Sequence, residues 1–280
     1  MKQGIMQSPV KRLFQAGLAL TGLFLAQTGA QAELLWHGDP AKGRSVFDNL
    51  NFEGGETHSR GKGTIMPAKD PVYGEIWRVH KPVPDRRAET RGAKGWSFHG
   101  GKGGTMRQEV PYYIGWRYKI EMPGKKAGGW NCFQWKAYAA PDKPEEYTQN
   151  YPFSMSYLDG NVVLTKYGAG WSSDRSKVVK LWNHPFPLNT WADFVLVVKP
   201  SIEEKVGYLE IYFNGKQQTL LTGGTREYMK TMDGMEVAPK WGIYNRYSIG
   251  SEINVSLADL RIGTDYDSAA PKNLSAVTQK

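Results

Sequence analysis

The chain has 280 residues, a formal net charge of +9, 12% aromatic residues and a single cysteine, Cys132. One cysteine excludes an internal disulfide, and five scattered histidines, His37, His58, His80, His99 and His184, exclude the ligand spacing of a structural zinc site. Past the N-terminus no stretch approaches the ~18 consecutive apolar residues of a membrane-spanning helix, so the fold has to be held by its own core.

Residues 1–12 carry Lys2, Lys11 and Arg12 and no acid, and the apolar run "LFQAGLALTGLFLA" occupies 13–26. "QTGAQA" follows, with Ala30 and Ala32 in a small-x-small arrangement. This is the pattern of a signal peptide cleaved after Ala32, and its apolar part is too short for a span. The expectation is an exported chain, periplasmic or secreted, with 33–280 as one domain. Loss of the three basic leader residues lowers the net charge from +9 to +6. A basic exported protein suits an acidic partner, for which nucleic acid is the least fitting class and an acidic polysaccharide a good one.

Residues 39–70 are rich in Gly, Lys, Asp and Pro and read as loop. "YGEIWRVH" (73–80) alternates as a strand, and "RRAETRG" (86–92) reads as a short strand with Arg87, Glu89 and Arg91 on one face. "AKGWSFHGGKGGTM" (93–106) is a glycine-rich loop without the helix and Gly-Lys-Ser/Thr of a phosphate-binding loop. "YYIGWRYKIEMP" (112–123) is a strand ending at Pro123. "NCFQWKAY" (131–138) is another, with Phe133 and Trp135 on one face and Gln134, Lys136 and Tyr138 on the other, beside Cys132.

Asp159-Gly160 and Asn214-Gly215 each sit between alternating runs and predict tight hairpins. "WADFVLVVK" (191–199) is a nearly continuous apolar strand. "TREYMKTMDGM" (225–235) is the one place for a short helix. "KWGIYNRYS" (240–248) and "VSLADLRIG" (255–263) are the last strands, and the tail from about 267 is polar and expected to be loose. Many strands, frequent glycine turns and abundant aromatics predict an all-β sandwich of two antiparallel sheets. For any single Trp a place between the sheets is favoured over stacking on a sugar.

The order "GEIWRV", "RRAETR", "GWRYKIEMP", "FQWK", "TWADFVLVVKPSIEEKVGYLEIYFNGK", "KWGIYNR", "LADLRIG" resembles the concanavalin-A-like jelly-roll polysaccharide lyases, the group of heparin lyase I and glucuronan lyase, and the related jelly-roll alginate lyases. The resemblance spans roughly 70–265. It implies a β-sandwich jelly roll with a concave groove, and cleavage of a uronic-acid-containing polysaccharide by β-elimination. It also implies site residues: a groove arginine at Arg87 with Arg91 beside it, a carboxylate-neutralising amide at Gln134, and a catalytic tyrosine at Tyr244. The family's histidine base is replaced by Lys136.

Elimination needs a group to neutralise the sugar carboxylate, a base for the adjacent C–H, and an acid for the leaving oxygen. Alternation places Lys240, Tyr244 and Arg246 on one face of their strand, as candidates to line the groove with Gln134, Lys136 and Tyr138. Two bases stay open: Tyr244 crowded by cations, or Lys136 brought down by burial among them. The favoured reading has Tyr244 as acid and Lys136 as base or electrostatic helper, with His99 as a reserve base on the glycine-rich loop. The alternative is a non-catalytic carbohydrate-binding protein that has lost the histidine base. A glycoside hydrolase is disfavoured because no Glu-x-Asp-x-x-Glu strand is present. Some relatives bind structural calcium, but no Asp/Asn-rich loop here has calcium-loop spacing, so no metal or other cofactor is predicted. Oligomeric state is not legible.

Overall fold

The computed structural model describes residues 32–55, 60–96, 98–99, 106–107, 109–121, 129–138, 150–233, 236–245 and 250–272. In chain order the strands begin with β1 (Leu34–His37), a 3-10 turn at Pro40–Val46, β2 (Asn49–Glu53), β3 (Thr64–Asp70), β4 (Gly74–Lys81), β5 (Arg87–Arg91) and β6 (Phe98–His99). β7 (Tyr112–Glu121), β8 (Trp130–Tyr138), β9 (Phe153–Leu158), β10 (Asn161–Tyr167), β11 (Val178–Pro185) and β12 (Ala192–Lys199) follow. The last are β13 (Tyr208–Phe213), β14 (Lys216–Gln217), β15 (Glu227–Tyr228), β16 (Glu236–Tyr244) and β17 (Ile253–Gly263), then the helical turn α1 (Tyr266–Ala269).

They form two sheets. The first runs β14-β13-β12-β7-β17-β4-β3, with β1 added to β17 and β15 to β13. The second runs β11-β10-β9-β8-β16-β5-β2, with β6 added to β16. Neighbours such as β8–β16, β16–β5 and β7–β12 are antiparallel but distant in sequence, as a jelly roll requires.

The period of two in the sequence decides which side chains enter the core. Trp116 and Phe194 come from the first sheet, Phe133 and Trp241 from the second. Trp116 stacks on Phe133 at 4.9 Å and meets Trp241 edge-on at 6.5 Å, so the rings lock one sheet to the other. Trp36 from β1 stacks on Trp241 at 5.7 Å. Both predicted hairpins form, with Asp159, Gly160, Asn214 and Gly215 all at positive φ, the conformation that Asp-Gly and Asn-Gly supply at low cost.

Several expectations are corrected. Residues 39–70 carry a 3-10 turn and two strands, because β2 and β3 find partners, β5 and β4, that lie later in the chain. The stretch 225–235 holds no helix among its described residues; Glu227 and Tyr228 pair with β13. β16 starts at Glu236, ahead of Lys240. The C-terminal segment is ordered through Lys272: Asp265 caps α1 through Ser268, and the Ala269 carbonyl packs so close to Gly115 that a Cβ there would lie 1.9 Å from it. No helix among the described residues is long and apolar enough to cross a membrane.

Candidate active site

The second sheet turns one face to the core and lays polar side chains on the other. β8 pairs with β16, and β16 with β5, so Gln134 lies opposite Lys240, and Tyr244 opposite both Asn131 and Arg87. Two irregularities shape this face. Against β9, β8 carries one extra residue, Cys132, between Asn131 and Phe133. The bulge sends Cys132 into the core, where burial pushes its thiol up to about 12, and brings Asn131 onto the polar face to accept from Ser156 Oγ at 2.7 Å. Strict alternation predicts the opposite for Cys132. Against β8, β16 sets Gly242 and Ile243 opposite one residue. Gly242 has φ of 137°, and a Cβ there would lie 2.3 Å from the Ala88 carbonyl oxygen.

The centre of the face is Glu89, which is 1% exposed. It accepts from Gln134 Nε2 at 2.5 Å and from Lys240 Nζ at 2.7 Å, with Arg87 Nε at 3.6 Å. Gln134 and Lys240 are as deeply buried as Glu89. They are therefore the supporting layer of the site and do not present open groove surface as alternation implies. Burial pulls the Lys240 ammonium below its ordinary range while Glu89 works against that shift. Arg87 also reaches Glu53 Oε2 at 3.0 Å, and its guanidinium lies 4.0 Å from the centre of the Tyr244 ring.

Tyr244 lines a cavity of about 460 Å³ together with Asn131, Asn150, Tyr151, Ser156, Tyr167, Trp171 and Arg175. That volume is in the range of small-ligand sites, ~300–1,000 Å³. Lys136 points toward one edge of it: its ammonium donates to the Asn150 carbonyl at 3.1 Å and to Asn150 Oδ1. Burial first, then the charges of Lys240, Arg87 and Arg91, hold the Lys136 ammonium down to about 7, with Glu89 opposing. Lys136 pairs with Ala238, whereas Tyr244 pairs with Asn131. Five residues of β8 separate the two positions, ~16 Å at ~3.3 Å per residue. Lys136 and Tyr244 thus do not stand opposite one another.

Arg91 is exposed and lies 4.4 Å over the Tyr138 ring. Burial pushes the Tyr138 phenol up to about 12 although Arg91 pulls the other way. His99 sits in strand β6, opposite Glu236, and not in a loop. Arg246 lies outside the described residues. The described residues hold no cluster of three or more His, Cys, Asp or Glu side chains that could bind a metal ion.

The polysaccharide lyase family model matches residues 67–259, which contain this whole polar face from β5 to β16. The chain belongs to the polysaccharide lyase family. The endo-β-1,4-glucuronan lyase of the fungus Trichoderma reesei superposes with a TM-score of 0.57 at 12% identity, over 86% of this chain and all of that one. The family 7 alginate lyase A1-II′, solved with a bound substrate, gives 0.51 at 10% identity, over 80% of this chain and 95% of that one. At such identities the likeness is one of fold. A search of curated proteins by sequence finds no match. This lyase is therefore a jelly-roll enzyme whose substrate is a polysaccharide.

Sequence reasoning misses the aromatic wall of the cavity and the central part of Glu89, which alternation only places on one face with Arg87 and Arg91. The wall residues lie just before β9 (Tyr151), at the end of β10 (Tyr167) and in the turn after it (Trp171), outside the motifs that carry the resemblance. An arginine-flanked acid on a strand, unable to face solvent unpaired, was the available signal for Glu89.

Proposed function

We propose that this lyase cleaves a uronic-acid-containing polysaccharide by β-elimination, with Tyr244 as the proton-transfer residue. The observation that carries the reading is the Arg87 guanidinium 4.0 Å from the Tyr244 ring, with Tyr244 lining a cavity of about 460 Å³. The C–H next to a sugar carboxylate is weakly acidic, and its removal puts charge on the carboxylate oxygens. Fixed positive charge beside the reacting carbon stabilises that enolate-like state. Arg87 supplies such charge, held in place by Glu53 and Glu89. The C5–H bond breaks with its proton going to the oxygen of Tyr244, its electrons form the C4–C5 double bond, and the C4–O bond breaks with its pair going to oxygen. The phenol of Tyr244 passes a proton to that departing oxygen.

Lys136 works at a distance in this reading. Its ammonium orients Asn150, a wall residue of the same cavity, and adds to the positive field. Gln134 and Lys240 act through Glu89, which their hydrogen bonds hold in place. The leader at 1–32 leads us to place the reaction outside the cytoplasm.

The test is product chemistry. Elimination leaves an unsaturated uronate that absorbs in the ultraviolet, so the protein is incubated with glucuronan, alginate and heparin-like chains and absorbance is followed. Tyr244→Phe is expected to remove turnover on the polymer that the parent cleaves while leaving binding intact. Cleavage by Tyr244→Phe at the parental rate refutes the assignment. Binding without any absorbing product from the parent supports a non-catalytic carbohydrate-binding protein.

A further inference from the structure

Seven of the ten tryptophans are buried; Trp171 is one of those that are not, and it faces the cavity. It forms a mutually packed trio with two tyrosines. Tyr151 and Tyr167 meet edge-on at 4.6 Å, while Trp171 packs tilted against Tyr167 at 4.9 Å and against Tyr151 at 5.4 Å. The trio is fixed to the sheet: Tyr167 OH shares a 3.1 Å hydrogen bond with Ser154 Oγ, and Trp171 N donates to the Gly168 carbonyl in a tight turn. Rings held this way lose little freedom when a ligand docks, which is what a stacking platform requires. Arg175, exposed on the 3-10 turn Arg175–Lys177, sets its guanidinium 5.1 Å from the Trp171 ring. An aromatic cluster with an arginine over one of its rings offers an apolar surface and a positive charge side by side, which matches a sugar that carries one apolar ring face and one carboxylate.

We propose that Tyr151, Tyr167, Trp171 and Arg175 form an accessory subsite that grips a uronate residue away from the bond being cleaved. It rests on the lyase reading above and deepens it. The ring face of the sugar lies on Trp171 and Tyr151, and its carboxylate meets Arg175. Tyr244 lines the same cavity, so a chain seated on the trio presents a neighbouring linkage to Tyr244. The subsite contributes to binding and chain-length preference, and not to the chemical step. A residue of this kind changes KM and leaves kcat nearly constant.

Trp171→Ala, Trp171→Phe and Arg175→Gln are each assayed on glucuronan and alginate, and on tetrasaccharides and longer oligosaccharides of each. Trp171→Ala is expected to raise KM for long chains roughly tenfold, about 1.4 kcal/mol, with kcat within about twofold. Trp171→Phe restores most of the loss, and Arg175→Gln raises KM while flattening its dependence on salt. Binding is measured separately, by calorimetry with long oligosaccharides on Tyr244→Phe with and without Trp171→Ala. This second arm separates the two readings. Binding that Trp171→Ala weakens supports the subsite even where the parent yields no unsaturated product, in which case only the elimination reading falls. Cleavage by the parent with KM unmoved in Trp171→Ala and Arg175→Gln, and binding unmoved by Trp171→Ala, overturns the subsite. A fall in kcat with KM unchanged overturns it too, by placing the trio in the chemical step. Absence of both binding and cleavage of every uronate chain overturns both readings.

Discussion

Glu89→Gln removes one charge and almost no volume from the centre of the polar face. Glu89 and Lys240 are each 1% exposed and 2.7 Å apart, so the substitution leaves an ammonium buried without its counter-charge. Breaking a buried pair from one side costs ~3–5 kcal/mol. The lysine has an escape that bounds this cost: it can shed its proton. Starting from an ordinary value of 10.5, neutralising it at pH 7 costs about 5 kcal/mol at ~1.4 kcal/mol per unit. The expected loss is therefore ~3–5 kcal/mol, or roughly 6–20 °C in Tm at ~2–4 °C per kcal/mol for a domain of this size.

The same reasoning sets the pH dependence. In the variant Lys240 is neutral when folded and protonated when unfolded, so the unfolded state binds one proton more. Stability then rises with pH by ~1.4 kcal/mol per unit. In the parent Glu89 raises the lysine relative to the variant, so across the window between the two folded values the parent does not gain in step, and the gap narrows. Urea unfolding of both proteins from pH 6 to 9 measures this. A gap below ~1 kcal/mol, or one that does not move with pH, would show that Glu89 does not carry the Lys240 charge. The double variant Glu89→Gln/Lys240→Met should be less destabilised than the sum of the single changes, since it removes the orphaned charge itself.

Lys136 gives a second pH test. Its ammonium loses its proton at about 7, and the proposed electrostatic role needs the charged form, so kcat should fall as pH rises through that value. Lys136→Met should lower the rate and abolish that limb; a parental rate that instead climbs through pH 7 and loses the climb in Lys136→Met would make Lys136 the base. Gly242→Ala should destabilise by ~2 kcal/mol or more, because φ of 137° disfavours a side chain and the new methyl would meet the Ala88 carbonyl. It should also displace Tyr244 and cut product formation, and unfolding at the parental denaturant concentration would show that the bulge tolerates a Cβ.

The amino-acid sequence by itself determined the sandwich. Alternation along "FQWK" and "KWGIY", the Asp-Gly and Asn-Gly turns and the apolar run of β12 are local signals, and each reports a backbone state or a buried face without reference to distant residues. The order of the motifs along the chain carried the family as well. Only the tertiary structure decided what the polar face does. Whether Gln134 and Lys240 meet substrate or Glu89 depends on pairing between strands a hundred or more residues apart, which no local pattern encodes. Bulges at Cys132 and Gly242 move the register by single residues, and one residue is enough to turn Cys132 inward, Asn131 outward, and to set Tyr244 opposite Asn131.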